Sequence, residues 1–224
     1  MTLQPLLSDT LRPRTFSDLT LPQKDINYLE QMVASRAIVN LLFYGPIGSG
    51  KTEAARLVMS RLAPQSSLEI DGSMLTGVEF VRQKIDPYAS GGSVVSDIKI
   101  CFLDQADLAF KRAQGSLLKV VENAHLTRFI FATTDCSKLI PALRSRLLPF
   151  CFDVSASDQG EVQARLLQRY QRVFCETGIP YDEHRVQQVV LAHYPDLRRI
   201  ANHLEYEFAA PARPRQQELS GDNA

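Results

Sequence analysis

Apolar residues along the first 150 positions fall into short dense runs, separated by longer stretches with helical spacing. Leu41-Leu42-Phe43-Tyr44, Leu68-Glu69-Ile70-Asp71, Ile98 to Leu103, Arg128 to Ala132 and Pro149 to Phe152 read as five strands. Between them, Ile26, Leu29, Met32 and Val33 mark a helix opened by Pro22, and Lys51 to Leu62 mark another, closed by Pro64. Val78, Val81 and Ile85 predict a helix that ends before Asp86-Pro87, and Ala113, Leu117, Leu118 and Val121 predict the next. Pro141 opens a short helix carrying Arg144 and Arg146. Strands alternating with helices predict a parallel sheet covered on both faces.

The ends of this pattern differ from its middle. Met1 to Thr10 carries little signal, and Leu11 to Leu19 reads as a basic, extended arm that packs Phe16 and Leu19 on the core. Ser90-Gly91-Gly92-Ser93 reads as a surface loop. Beyond Asp153 the strands stop. Val162, Leu166, Leu167, Tyr170 and Val173 follow helical spacing, and Tyr181 to His193 and Leu197 to Phe208 give two more helices. The expected organisation is an α/β domain over 1–153, a helical domain over 154–209 and a disordered polar tail over 210–224.

Composition narrows the function only slightly. The 224 residues suffice for one sizeable core with a smaller attachment. Lys plus Arg and Asp plus Glu are both 25, so any contact with nucleic acid has to come from a local patch. Cys101, Cys136, Cys151 and Cys175 lack paired C-x-x-C spacing, which argues against zinc and for a reduced compartment. No apolar run approaches the roughly 18 residues of a membrane span, and the first residues show no leader pattern. A cytoplasmic protein is expected.

The candidate chemistry begins where the first strand ends. Gly45, Pro46, Ile47, Gly48, Ser49, Gly50, Lys51 and Thr52 fit G-x-x-x-x-G-K-[ST], between a strand and a helix. Glycines let successive backbone N–H groups turn toward an anion, and the following helix adds its positive end. Lys51 would reach the outer phosphates of ATP, and Thr52 would help coordinate Mg²⁺. Asp104, closing the Ile98–Leu103 run, is the second expected metal ligand. Thr133-Thr134-Asp135 places polar groups at another strand end, where a parallel sheet presents ligands.

The order of these motifs resembles AAA+ ATPases of the clamp-loader group, as in replication factor C small subunits, their phage counterparts and the bacterial gamma subunit. Arg12-Pro13-x-x-Phe16-x-Asp18 is similar to the group's arm, and Leu68 to Ser73 with Gly77-Val78 to its second-strand segment. Gln114 to Glu122, Ala132 to Leu139, Ser145-Arg146 and Asp196-Leu197-Arg198-Arg199 match further motifs. The resemblance runs from about Arg12 to about Leu204. It implies a five-stranded parallel P-loop (AAA+) sheet followed by a small helical lid. It also implies that Arg12 and Pro13 lie near the adenine, Thr134 positions the attacking water, Arg198 leans from the lid toward the γ-phosphate, and Arg146 serves a neighbouring subunit's ATP as an arginine finger. On residue type alone, Thr134 reads as a strand-end hydroxyl, Arg198 as a solvated charge and Arg146 as a local salt-bridge partner.

Three departures qualify the resemblance. Gln105 stands where the group has Glu, the carboxylate that polarises the attacking water. ATP and Mg²⁺ binding are expected to survive and hydrolysis to be impaired, either in a naturally non-hydrolysing subunit or by a Glu-to-Gln trap. The sequence also stops after the lid, without the group's helical collar domain. Leu147 replaces the Cys of the group's Ser-Arg-Cys, and Leu11 and Leu21-Pro22 replace its usual Tyr and Gly-Gln. Arg82, Lys84, Lys111 and Arg112 are the local basic candidates for duplex or primer-template DNA, through salt-dependent phosphate contacts. The expected function is a clamp-loader-like ATPase subunit that assembles with others of its kind on DNA, with a sliding clamp or helicase as further partner. The alternatives are a helicase loader or DNA-associated regulator, which the missing collar favours, and a non-hydrolysing structural subunit.

Overall fold

The computed structural model describes residues 6–91 and 98–209. In chain order the structure begins with α1 (Leu7–Thr10), and the α/β part follows with α2 (Gln23–Ala34), β1 (Leu41–Tyr44), α3 (Lys51–Leu62), β2 (Ser67–Asp71) and α4 (Val78–Phe80). A π turn over Val81–Ile85 leads into α5 (Asp86–Ser90), then β3 (Lys99–Asp104), α6 (Lys111–Asn123), β4 (Thr127–Thr133), α7 (Pro141–Arg144) and β5 (Leu148–Cys151). The helical part is α8 (Ala156–Thr177), α9 (Glu183–His193) and α10 (Leu197–Leu204), extended by a π turn over Glu205–Ala209. The tail expected to be disordered lies outside the described residues, as do Gly92 and Ser93. Among the described residues, no helix is long and apolar enough to cross a membrane.

All pairings in the five-stranded sheet are parallel, in the order β2-β3-β4-β1-β5. Strands buried on both faces have apolar side chains at successive positions, and alternation divides them between two cores. Leu41, Phe43, Phe102, Ile130 and Phe150 pack against α2 and α3 through Ile26, Leu29, Ala55 and Val58. Leu42, Cys101, Leu103, Phe129 and Phe131 pack on the other face against Val81, Ile85, Ala113 and Leu117. Because every strand runs the same way, register aligns Asp71 with Asp104 and Tyr44 with Thr133 and Cys151 at one edge. The residues singled out at strand ends therefore converge on that edge.

Two local expectations change. The helix expected to end before Asp86-Pro87 continues to Ser90, with Asp86 helical at φ −62° and ψ −47°. The wide π turn ahead of Pro87 shifts the hydrogen-bonding frame, and proline falls in the first turn of α5, where its missing N–H costs least. The patternless first residues also contain α1, whose Leu7 and the following Leu11 pack into the helical part with Tyr170, Phe174, Ile200 and Leu204. Phe16, Leu19 and Leu21 instead join the sheet core, so this segment straps the two parts together. Two arginines of α8 hold the strap. Arg165 donates to the Leu19 and Leu21 carbonyls, and Arg169 to those of Leu11 and Asp18.

Candidate functional site

The phosphate-loop motif leaves β1 and turns through Gly45 (φ 145°), Gly48 (φ 76°) and Gly50 (φ 95°) before α3 begins at Lys51. These angles belong to the region that favours glycine. Space is also short. A Cβ on Gly45 would approach the Asp153 nitrogen to 2.9 Å, and one on Gly48 would fall on the Asp196 carboxylate. Lys51 is buried under the loop, where its Nζ donates to Gly45 O at 2.9 Å and Pro46 O at 2.6 Å. Burial lowers its pKa, against which the negative charges of Asp104 and Asp107 act. The loop is tied from outside by Thr20, whose hydroxyl donates to Ser49 O at 2.8 Å.

The two expected metal ligands meet. Thr52 Oγ1 donates to Asp104 Oδ2 at 2.8 Å, which places a hydroxyl and a carboxylate from different elements side by side. Hard oxygen donors beside a phosphate loop suit Mg²⁺, which binds through one or two such groups plus substrate phosphates and water. Gln105 follows in the left-handed region (φ 51°, ψ 44°), with its N–H donating to Asp104 Oδ1 at 2.9 Å. Its carbonyl lies against Gly72, which has no room for a Cβ.

Asp107 organises the next strand end, a role the linear reading missed. Its carboxylate accepts from Thr133 Oγ1 at 3.0 Å and Thr134 Oγ1 at 3.1 Å, and Lys138 Nζ lies 3.8 Å away. Thr134 is thereby fixed at the edge of β4, beside the end of β3. Replacing Asp107 with Ala removes the acceptor of both hydroxyls and is expected to cost about 2 kcal/mol, or roughly 4–8 °C in Tm by calorimetry.

The helical part closes the site. Leu197 N–H donates to Gly48 O at 2.9 Å, docking the start of α10 on the phosphate loop, while Asp196 caps that helix through Arg199 N–H. Arg198 is carried to the mouth of a cavity of about 440 Å³. Gly48, Lys51, Thr52 and Asp104 line this cavity together with Arg12 and Pro13 of the arm. Arg146 lies elsewhere, just beyond α7, ion-paired with Glu122 and donating to Ala142 O at 2.6 Å. Arg82, Lys84, Lys111 and Arg112 are all exposed. A second groove, of about 490 Å³ between α4 and α6, is lined by Arg82 together with Lys119, a cation the sequence reading left out. Lys84, Lys111 and Arg112 do not line it.

A parallel α/β sheet with a glycine-rich loop after its first strand, an acidic residue closing its third and a helical lid over both is the architecture of a P-loop nucleotide-binding protein. Residues 41–152 match the model of the ATPase family associated with various cellular activities (AAA), and the chain belongs to that family. Replication factor C subunit 4 of Caenorhabditis elegans is 32% identical over 86% of the chain, which spans 59% of that relative's length. Among solved structures, the Thermotoga maritima RuvB Holliday junction branch migration motor matches with a TM-score of 0.62 and 18% identity, over 88% of this chain and 64% of that one. The Thermotoga maritima DNA polymerase III gamma subunit-related protein matches at 0.51 and 16% identity, over 78% and 70%. These two likenesses concern the fold.

Proposed function

We propose that the chain is the ATP-binding part of a clamp-loader-like subunit, which assembles with similar subunits on DNA in replication. One observation carries the reading: phosphate loop, metal-ligand pair, arm and lid arginine all line a single cavity. Sequence similarity to replication factor C subunit 4 supports the replication context. In this reading Gly45 to Thr52 hold the triphosphate, with Lys51 turning from loop carbonyls to phosphate oxygens, and Thr52 and Asp104 hold Mg²⁺. Thr134 orients water, and Arg198 reports phosphate occupancy to α10, which already rests on Gly48. Arg146 leaves Glu122 to serve the site of a neighbouring subunit, where its planar donors suit phosphate oxygens. Arg82, Lys84, Lys111 and Arg112 face the DNA phosphates, with Lys119 beside Arg82. Gln105 keeps hydrolysis slow. It also favours a second reading, in which the subunit holds ATP structurally and contributes chiefly Arg146.

The test is binding to a primer-template duplex with and without MgATP. ATP is expected to strengthen retention by roughly tenfold, a typical coupling between two sites. Lys51→Met is expected to abolish that gain. DNA affinity indifferent to ATP in the unaltered chain would overturn the reading.

A further inference from the structure

Arg169 has no part in the site as described so far, yet it is built into its wall. It stands on α8, is 5% exposed and lines the same cavity as Lys51, Thr52 and Asp104. Its Nη1 donates to Asp18 O at 2.8 Å and its Nη2 to Leu11 O. Its Nε–H is buried and has no acceptor among the described residues. No carboxylate forms an ion pair with it there. The nearby Asp18 carboxylate instead accepts from Arg14 N–H at 3.0 Å, Thr15 N–H at 2.9 Å and Thr15 Oγ1 at 2.8 Å. Burial disfavours the guanidinium's charge and lowers its pKa, an effect that the neighbouring Tyr170 and the Asp18 charge only partly oppose.

A buried donor without an acceptor destabilises the protein that carries it, and a buried cation without a counter-charge does so more strongly. Strap anchoring uses the two Nη groups and leaves Nε unexplained. The phosphate loop fixes one end of a nucleotide, while the arm residues Leu11, Arg12 and Pro13 line the cavity with Arg169 and Tyr170. Two strap carbonyls hold the guanidinium plane in one orientation, the preorganisation a recognition group requires.

We propose that Arg169 is the base-recognition residue of the nucleotide site, donating its Nε–H to a ring nitrogen of the purine. This rests on the ATP-binding reading above. A lone donor suits the purine ring nitrogens, which are acceptors, and is mismatched to the exocyclic amino group of adenine, which is itself a donor. The strap carbonyls then serve the base site as well as the joint between the two parts of the fold, because the same guanidinium touches both.

The experiment compares equilibrium binding of MgATP with that of 1-deaza-, 3-deaza- and 7-deaza-ATP, each lacking one ring acceptor. One analogue is expected to bind the unaltered chain roughly tenfold more weakly than ATP, the range for a hydrogen bond to a charged group. Arg169→Met is expected to bind ATP and that analogue alike. Arg169→Lys keeps a cation near the strap but lacks the Nε–H, and is expected to lose the same discrimination even if the Met variant fails to fold. If all three analogues bind the unaltered chain as tightly as ATP, the inference fails. It fails equally if discrimination persists in the variants, which makes Arg169 a strap anchor alone. A chain that binds no ATP overturns the broader reading together with this one, whereas ATP binding without a deaza penalty overturns this one only.

Discussion

Replacing Gln105 with Glu is expected to raise ATP turnover by about 10²–10⁴-fold, the usual contribution of a positioned general base. The backbone is already set for it. Position 105 is held in a left-handed turn by its own N–H on Asp104 Oδ1 and by its carbonyl against Gly72. Gln and Glu have the same length, so the substitution changes the end group without moving the turn. An amide at that point can orient water but cannot take its proton. Thr52 rests on Asp104, Thr134 on Asp107 and Lys51 on the loop carbonyls, and in the proposed function these are the other groups the reaction would use. Stability is expected to change by no more than about 0.5 kcal/mol, since the side chain is exposed. Steady-state phosphate release, with and without primer-template DNA, provides the check. An undetectable rate in both conditions would show that the missing carboxylate is not what limits this chain.

Gly72→Ala is expected to destabilise the fold by about 2–3 kcal/mol, in the range for inserting atoms where none fit. Gly72 follows β2 directly, and its missing Cβ is what lets the turn after β3 pass so closely. A methyl group there would fall on the Gln105 carbonyl and come within 2.9 Å of the Asp104 carbonyl oxygen. Both obstacles are backbone, which cannot swing aside as a flexible side chain can. The same change should displace the Asp104–Gln105 pair, so turnover restored by Gln105→Glu should fall again in the double variant. Gly115 in α6 has open space around its Cβ direction and serves as the control. Ala there is expected to stabilise slightly, as it does in most helix interiors. A urea midpoint for Gly72→Ala equal to that of the unaltered chain would mean the two turns separate without cost.

Much of the fold was written along the chain. Buried parallel strands announce themselves as dense apolar runs, and the helices of the lid by spacing such as Val162, Leu166 and Val173, all buried on α8. The phosphate loop was equally legible, since its conformation depends on a few adjacent residues. Glycines at 45, 48 and 50 take the positive φ values that only a local rule is needed to foresee. Thr52 and Asp104 were both expected at one metal site from the loop motif and the acid at a strand end, and the structure brings their oxygens to 2.8 Å.

What remained illegible depends on which strand lies beside which. Asp107 reads as one more acidic residue until β3 and β4 become neighbours and its carboxylate meets Thr133 and Thr134. Gly72 reads as a turn glycine until β2 and β3 pair and Gln105 arrives against it. Arg169, 158 residues from Leu11, carries no signal of its own in the sequence and gains its partners only when the arm crosses from the sheet core to the lid. Periodicity and loop chemistry are short-range properties, encoded within a few residues by backbone geometry and by which side of an element meets water. The contacts made by Asp107, Gly72 and Arg169 join elements far apart in sequence, so only the assembled sheet, strap and lid determine them.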